Sequence, residues 1–144
     1  MTSPAPQPRT SSESAGRTTT RSCVPATPQT WLDRFVSAVR NNDIDAGRRL
    51  FADDAVGYGA LTARMLGLES LVAQQWRPTW ARVAQWDVTE VDLLLRRDDL
   101  AVLAFCWQRL NNDDGATVPG RATMVLQHVD DRWLCVHSHF SASP

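Results

Sequence analysis

An α+β fold is predicted for this chain: three N-terminal helices packed on a curved, mostly antiparallel sheet that wraps into a cone. Three observations carry the prediction. Apolar residues recur at helical spacing after Thr30 and again after Gly67. From residue 82 the apolar period changes to two, and it holds almost to the C-terminus. The last alternation, Asp131 to Ser141, is long, aromatic and carries two His on one face, so it must complete a sheet.

The elements follow in order. Residues 1–28 are rich in Ser, Thr, Pro and Arg with almost nothing large and apolar. Such a stretch cannot bury enough surface to offset its ordering entropy, so a disordered tail is expected, with one domain over residues 29–144. Thr30 reads as a helix N-cap ahead of Trp31, Leu32, Phe35, Val36 and Val39, with an end near Asn41-Asn42. Asp43 can cap a short second helix through Ile44, Ala46, Leu50 and Phe51. Asp53-Asp54 read as a turn into a first strand from Ala55 to Ala60, and Met65-Leu66 as a short second one. Gly67 opens a third helix with Leu68, Leu71, Val72, Gln75, Trp76 and Trp80 on one stripe, bent or ended by Pro78. Long strands are predicted over 84–96, 99–111, 116–129 and 131–141, separated by Asp-, Asn- and Gly-rich turns.

Composition narrows the function classes. A chain of 144 residues that is 43% hydrophobic supports one domain with a real core. A net charge of −1 gives no reason to expect nucleic acid or an anionic membrane surface as partner. There is no Lys, which excludes Schiff-base chemistry. Cys23, Cys106 and Cys135 share no metal-ligand spacing and read as thiols in a reducing cytosol. No run approaches the length of a membrane helix and no secretory leader is evident, so a soluble, cytoplasmic protein is expected. Nucleophile elbows and phosphate-cradling Gly loops are absent.

Three segments together resemble the NTF2-like superfamily, in its SnoaL-like and ketosteroid-isomerase-like branch. They are WLDRFVSAVRNNDIDAGRRLFADDAV, the Gly67-Leu68 opening of helix three, and the ending RATMVLQHVDDRWLCVHSHFS. The ending is also similar to the association domain of calmodulin-dependent kinase II. The resemblance spans residues 29–141 and implies the cone, although this superfold hosts many activities. In ketosteroid isomerases a Tyr and a protonated Asp hold the enolate oxygen while a second Asp moves the proton, an enzyme that serves as a standard case of pKa tuning. By similarity those positions fall on Phe35, Met124 and Gly59, none of which handles a proton. The Arg residues of the kinase association pocket correspond to Trp107, Met124 and Phe140, which implies a larger, flatter, less charged ligand.

Strand parity supports the same wall. Leu103, Phe105, Trp107 and Arg109 share one face; Ala122, Met124 and Leu126 share another; Leu134, Val136, Ser138 and Phe140 a third. The candidate ligand-binding residues are therefore Phe35, Trp76, Trp80, Phe105, Trp107, Met124 and Phe140, with ordinary core as the alternative, above all for Phe105. Trp31 is expected to pack helix one on the sheet, and Trp86 and Trp133 to serve sheet packing or a dimer face. Tyr58 and Arg109 are candidate polar contacts to a ligand carbonyl, carboxylate or enolate, although Asp113 or Asp114 could neutralise Arg109 instead. His137 and His139 share a face with Trp133, Cys135 and Thr123; a paired, structural role competes with acid–base work there. No third ligand accompanies them, so no metal is expected, and no cofactor is implied. The expected function is an enzyme acting on a hydrophobic, carbonyl-bearing, polyketide-like substrate by isomerisation or cyclisation. The alternative is a non-catalytic binding or homo-oligomerisation module. A homodimer through the sheet is expected in either case.

Overall fold

A computed structural model describes Thr2 and residues 27–144; the rest of the N-terminal stretch, Cys23 included, lies outside the described residues. Helix α1 (Pro28–Arg40) is capped three residues earlier than expected: Thr27 Oγ1 accepts from Thr30 N at 3.0 Å, and Pro28 takes the first turn. Proline suits that position because its missing N–H would have no partner there and its φ is already helical. Asp43 caps α2 (Ile44–Arg48) as expected, accepting from Ala46 N at 3.0 Å. Among the described residues only these two helices precede the sheet. The third helical stretch follows the first two strands and is composite, with α3 (Leu68–Leu71), a π-helical turn Val72–Trp76 and α4 (Arg77–Trp80). Pro78 accounts for the π turn, since it offers no N–H to the carbonyl of Gln74; Arg77 N reaches back to Val72 O instead.

Strands β1 (Phe51–Gly59), β2 (Thr62–Leu66), β3 (Val83–Arg96), β4 (Leu100–Asn111), β5 (Thr117–Val129) and β6 (Arg132–Ala142) form one sheet in the order β2-β1-β6-β5-β4-β3. All neighbours are antiparallel except β1 and β6. Asp53 and Asp54, read as a turn, lie inside β1; both are exposed, so the strand carries them without desolvation. Asp130 and Asp131 both take positive φ, 51° and 61°, as a tight hairpin between β5 and β6 demands.

Register slips bend the sheet, and one of them corrects the expected parity. In β6, Leu126 faces Cys135 but Val125 faces His137, so Val136 is an extra, bulged residue. Before the bulge the odd residues Trp133 and Cys135 point into the core; after it the even ones, Ser138 and Phe140, do. Leu134 and Val136 are half-buried rather than core, and the two His do not share their face with Trp133 and Cys135.

The core lies between the helices and the sheet and is dominated by aromatic rings. Phe35 is its hub, with ring centroids of Trp31, Phe51, Trp76, Trp80, Trp86 and Phe140 all between 5.3 and 6.4 Å away. Trp31 anchors α1, as expected, by donating from Nε1 to Leu50 O at 2.8 Å. Trp133 is buried at the far end of the sheet, with the Arg96 guanidinium 5.2 Å from its ring centre. No helix among the described residues is long and apolar enough to cross a membrane.

Candidate functional site

Where the helical layer and the sheet part, they leave a partly open cavity of about 260 Å³. Its floor is Phe35 of α1, one wall is the pair Trp76 and Trp80, and the other is Trp86, Trp107 and Phe140 of the sheet. Helical spacing puts Trp76 and Trp80 one turn apart; their rings stack at 4.6 Å and 13°. Strand spacing puts Trp107 and Arg109 on the same face of β4, both lining the cavity.

Trp107 owes its pose to its cross-strand neighbour. Gly120 pairs with it in register, and a Cβ built at 120 would come within 2.0 Å of Trp107 Cζ2 and 2.2 Å of Cε2. The indole packs so close to the glycine backbone that no side chain could stand at 120.

Of the residues placed on a site by sequence, Phe35, Trp76, Trp80, Trp107, Arg109 and Phe140 come together here. Phe105 and Met124 do not line the cavity: Met124 is fully enclosed, and the Phe105 ring stands behind Trp86 and Phe140, 6.4 Å from each. Tyr58, His137 and His139 sit elsewhere. Gly57 and Gly59 face the helices, so Tyr58 between them projects from the opposite side of the sheet, edge-on to the rings of His137 (5.1 Å) and His139 (5.5 Å). His137 Nδ1 lies 2.8 Å from Val56 O, the geometry of a ring N–H donating to a backbone carbonyl. No group of three His, Cys, Asp or Glu among the described residues is placed to hold a metal ion.

Sequence reasoning missed part of the lining. Thr62 gave no signal because β2 was expected to start later, and Trp86 was assigned to sheet packing or a dimer face. Gln75 stood on the predicted helical stripe but received no role. Thr62 and Gln75 flank Gly59, the position where the family resemblance puts a proton-moving carboxylate. A Cβ at Gly59 would come within 2.5 Å of Thr62 Oγ1 and 2.6 Å of Gln75 Nε2. That place is filled by a hydroxyl and an amide, and no acid could stand there without displacing both.

Polar atoms without partners gather on this lining. Thr62 Oγ1, Gln75 Oε1, Trp107 Nε1 and Arg109 Nε are buried with no hydrogen-bond partner among the described residues. Each such atom costs about 1–3 kcal/mol while unpaired. Asp113 and Asp114 do not neutralise Arg109: Asp113 Oδ2 accepts from Arg82 Nε at 2.8 Å, and Asp114 Oδ2 stands 3.8 Å from Arg82 Nη2. Burial lowers the pKa of Arg109 and the Arg82 charge adds to the effect, with Asp114 and Asp113 opposing. An arginine stays charged against such a shift. Among the described residues Arg109 is the one charged member of the lining, and no His, Tyr, Cys or carboxylate among them lines it.

Residues 29–144 match the family model described as a SnoaL-like domain. No curated protein matches the chain. Among solved structures, it is similar to an NTF2-like protein of unknown function from Pseudomonas putida, at 22% identity and a TM-score of 0.70, covering 80% of this chain and 83% of that one. A ketosteroid isomerase-like protein from Erwinia carotovora atroseptica gives 19% identity and a TM-score of 0.64, with 81% and 94% covered. A Xanthomonas campestris protein assigned as a calcium/calmodulin-dependent protein kinase II association domain gives 19% and 0.69, with 81% and 85% covered. At these identities the likeness concerns the fold alone.

Proposed function

The chain belongs to the SnoaL-like domain family, and on that premise we propose that its aromatic cavity takes up a hydrophobic, carbonyl-bearing small molecule and favours its cyclisation or isomerisation by confinement. The observation that carries this reading is one lining that combines six aromatic rings with the unpartnered polar atoms of Thr62, Gln75, Trp107 and Arg109. A few fixed polar groups in an apolar hollow are what a small-molecule site needs for orientation. The chemistry on offer is holding a folded conformer, excluding water and polarising a carbonyl through N–H donors. Side-chain proton transfer of the ketosteroid isomerase kind is not available there, because Phe35 and Gly59 replace the groups it uses and Met124 lies outside the lining.

The same lack of a proton-handling group favours a second reading, a non-catalytic binding module. In both readings the outer face of the sheet joins a second copy. Helices leave that face uncovered, and it carries the exposed Tyr58 of β1 and Leu95 of β3. Unbridged Cys106 and Cys135 agree with a reducing, cytoplasmic location.

A thermal-shift screen against polycyclic ketones and aromatic acids tests the cavity. A ligand raises the Tm of the wild type and has no effect on Trp107→Ala; a shift that survives in Trp107→Ala refutes the assignment of the site. Turnover of a ligand found in this way, followed by chromatography, separates the enzyme from the module.

A further inference from the structure

We propose that the occupant of the cavity is an aromatic carboxylate, held with its flat ring against the indoles and its negative oxygens toward Arg109. This rests on the reading of the cavity as a small-molecule site and adds the ligand's charge to it. The aromatic box alone is ambiguous, since stacked indoles accept a flat neutral ring or, through cation–π attraction, a quaternary ammonium. Arg109 removes the ambiguity. It is the one charged lining residue, and the two nearest carboxylates are spent on Arg82. Asp114 and Asp113 act on Arg109 from a distance but neither pairs with it, so its charge is only partly offset at the cavity, and inside an apolar wall its field is stronger than in water. A cation would be repelled, whereas an anion would find the counter-charge that the protein itself does not supply.

Donor geometry points the same way. Trp107 is more than nine-tenths buried, and its Nε1 has no acceptor among the described residues; nor has Arg109 Nε. The two residues are i and i+2 on β4, so both side chains leave the same face about 7 Å apart at their origins. A carboxylate brings two charged oxygens and several lone pairs, a match for the several N–H donors of a guanidinium. An amide or ketone brings one acceptor oxygen and no charge. At about 260 Å³ the cavity lies just below the usual range of about 300–1,000 Å³, which suits a ligand of one or two rings. The resemblance to the kinase association pocket implied a less charged ligand, because Trp107 and Phe140 stand at its arginine positions. Arg109 restores one positive charge from a different strand position.

Isothermal titration of the full chain with naphthoate, naphthamide and naphthyltrimethylammonium tests the proposal. Naphthoate should bind about ten-fold or more tighter than naphthamide, the effect of a charge-assisted hydrogen bond, and the ammonium should not bind. Arg109→Gln should bring acid and amide to parity, while Arg109→Lys should keep most of the preference. Equal affinity for acid and amide in the wild type, binding of the ammonium, or an acid preference that survives Arg109→Gln would overturn the anion assignment and leave the cavity reading standing. Binding of none of the three overturns both. Should Arg109→Gln not fold, salt decides with the wild type: raising ionic strength from about 0.05 to 0.5 M should weaken naphthoate but not naphthamide. An equal effect on both would refute the proposal.

Discussion

Gly120→Ala is the sharpest test of how the cavity wall is built. Gly120 has no positive φ, so alanine brings no backbone strain and the effect is one of space. The new Cβ falls 2.0 Å from Trp107 Cζ2 and 2.5 Å from Ser141 O. The first contact requires the ring to retreat by about 1.5 Å to reach ordinary carbon–carbon separation, and the free direction is the cavity. The second involves the backbone of β6 and is harder to relieve. Overpacking of this kind costs about 1–3 kcal/mol, and a backbone contact puts the value at the upper end. A gain of about 0.4–1 kcal/mol from stiffening the unfolded chain offsets part of it. The net, about 2 kcal/mol, lowers the Tm by roughly 8 °C for a domain of this size. Urea unfolding of Gly120→Ala, Trp107→Ala and the double variant closes a cycle. Trp107→Ala removes the ring contact but not the one with Ser141, so the two substitutions should couple by about 1–2 kcal/mol in the direction that makes the alanine cheaper. Additive losses would mean that the indole does not rest on Gly120, and the account of the wall would fail.

Two further outcomes follow from burial and from strand faces. Burial pushes the Cys135 thiol far above its ordinary value of 9.0, so the folded state keeps a proton that the unfolded chain releases. Stability contributed by the neutral thiol is whole below about pH 9 and falls above it by about 1.4 kcal/mol per pH unit; urea titrations at several alkaline pH values should show this extra slope in the wild type and not in Cys135→Ala, and equal slopes would refute it. Tyr58→Phe should leave the affinity of any cavity ligand within about two-fold of wild type, since a surface change distant from a site is usually near neutral; a large loss in titration calorimetry would show that the opposite face of the sheet reaches the ligand.

The legible part of the fold is the part where turn chemistry and period agree. Asp98-Asp99, the Asn/Asp/Gly run 111–115 and Asp130-Asp131 bound the long strands, and β4 and β5 begin within one residue of expectation. Three local rules were outvoted. Thr27-Pro28 is a better helix start than Thr30. Asp53-Asp54 sit in a strand because both side chains reach water, so their turn preference costs nothing. The bulge at Val136 has no composition signal, and counting by twos through it misplaces every earlier residue of β6 by one face. For the site, helical and strand spacing gathered Phe35, Trp76, Trp80, Trp107, Arg109 and Phe140. Thr62 and Gln75 were invisible as partners because their meeting at Gly59 depends on how β2 and the composite helix approach β1. Tyr58 is a different case: its place between two glycines on β1 already carried the signal that it faces away.

The exchange around Gly59 bears on what such a cavity can do. A carboxylate there would be a strong base in an apolar setting, and it would need either a partner or a raised pKa to stay buried. Thr62 and Gln75 occupy the same space without that electrostatic cost, but neither can take a proton near neutral pH. On the reading proposed above, the oxygens of a ligand meet the polar side chains of this lining. Specificity in such a site comes from the cost of leaving those atoms unpaired, so a ligand lacking the matching oxygen is rejected more strongly than one lacking a methylene. Ligand choice should then follow the position of oxygens relative to the ring, and affinity should rise with their number more steeply than with the ring's size.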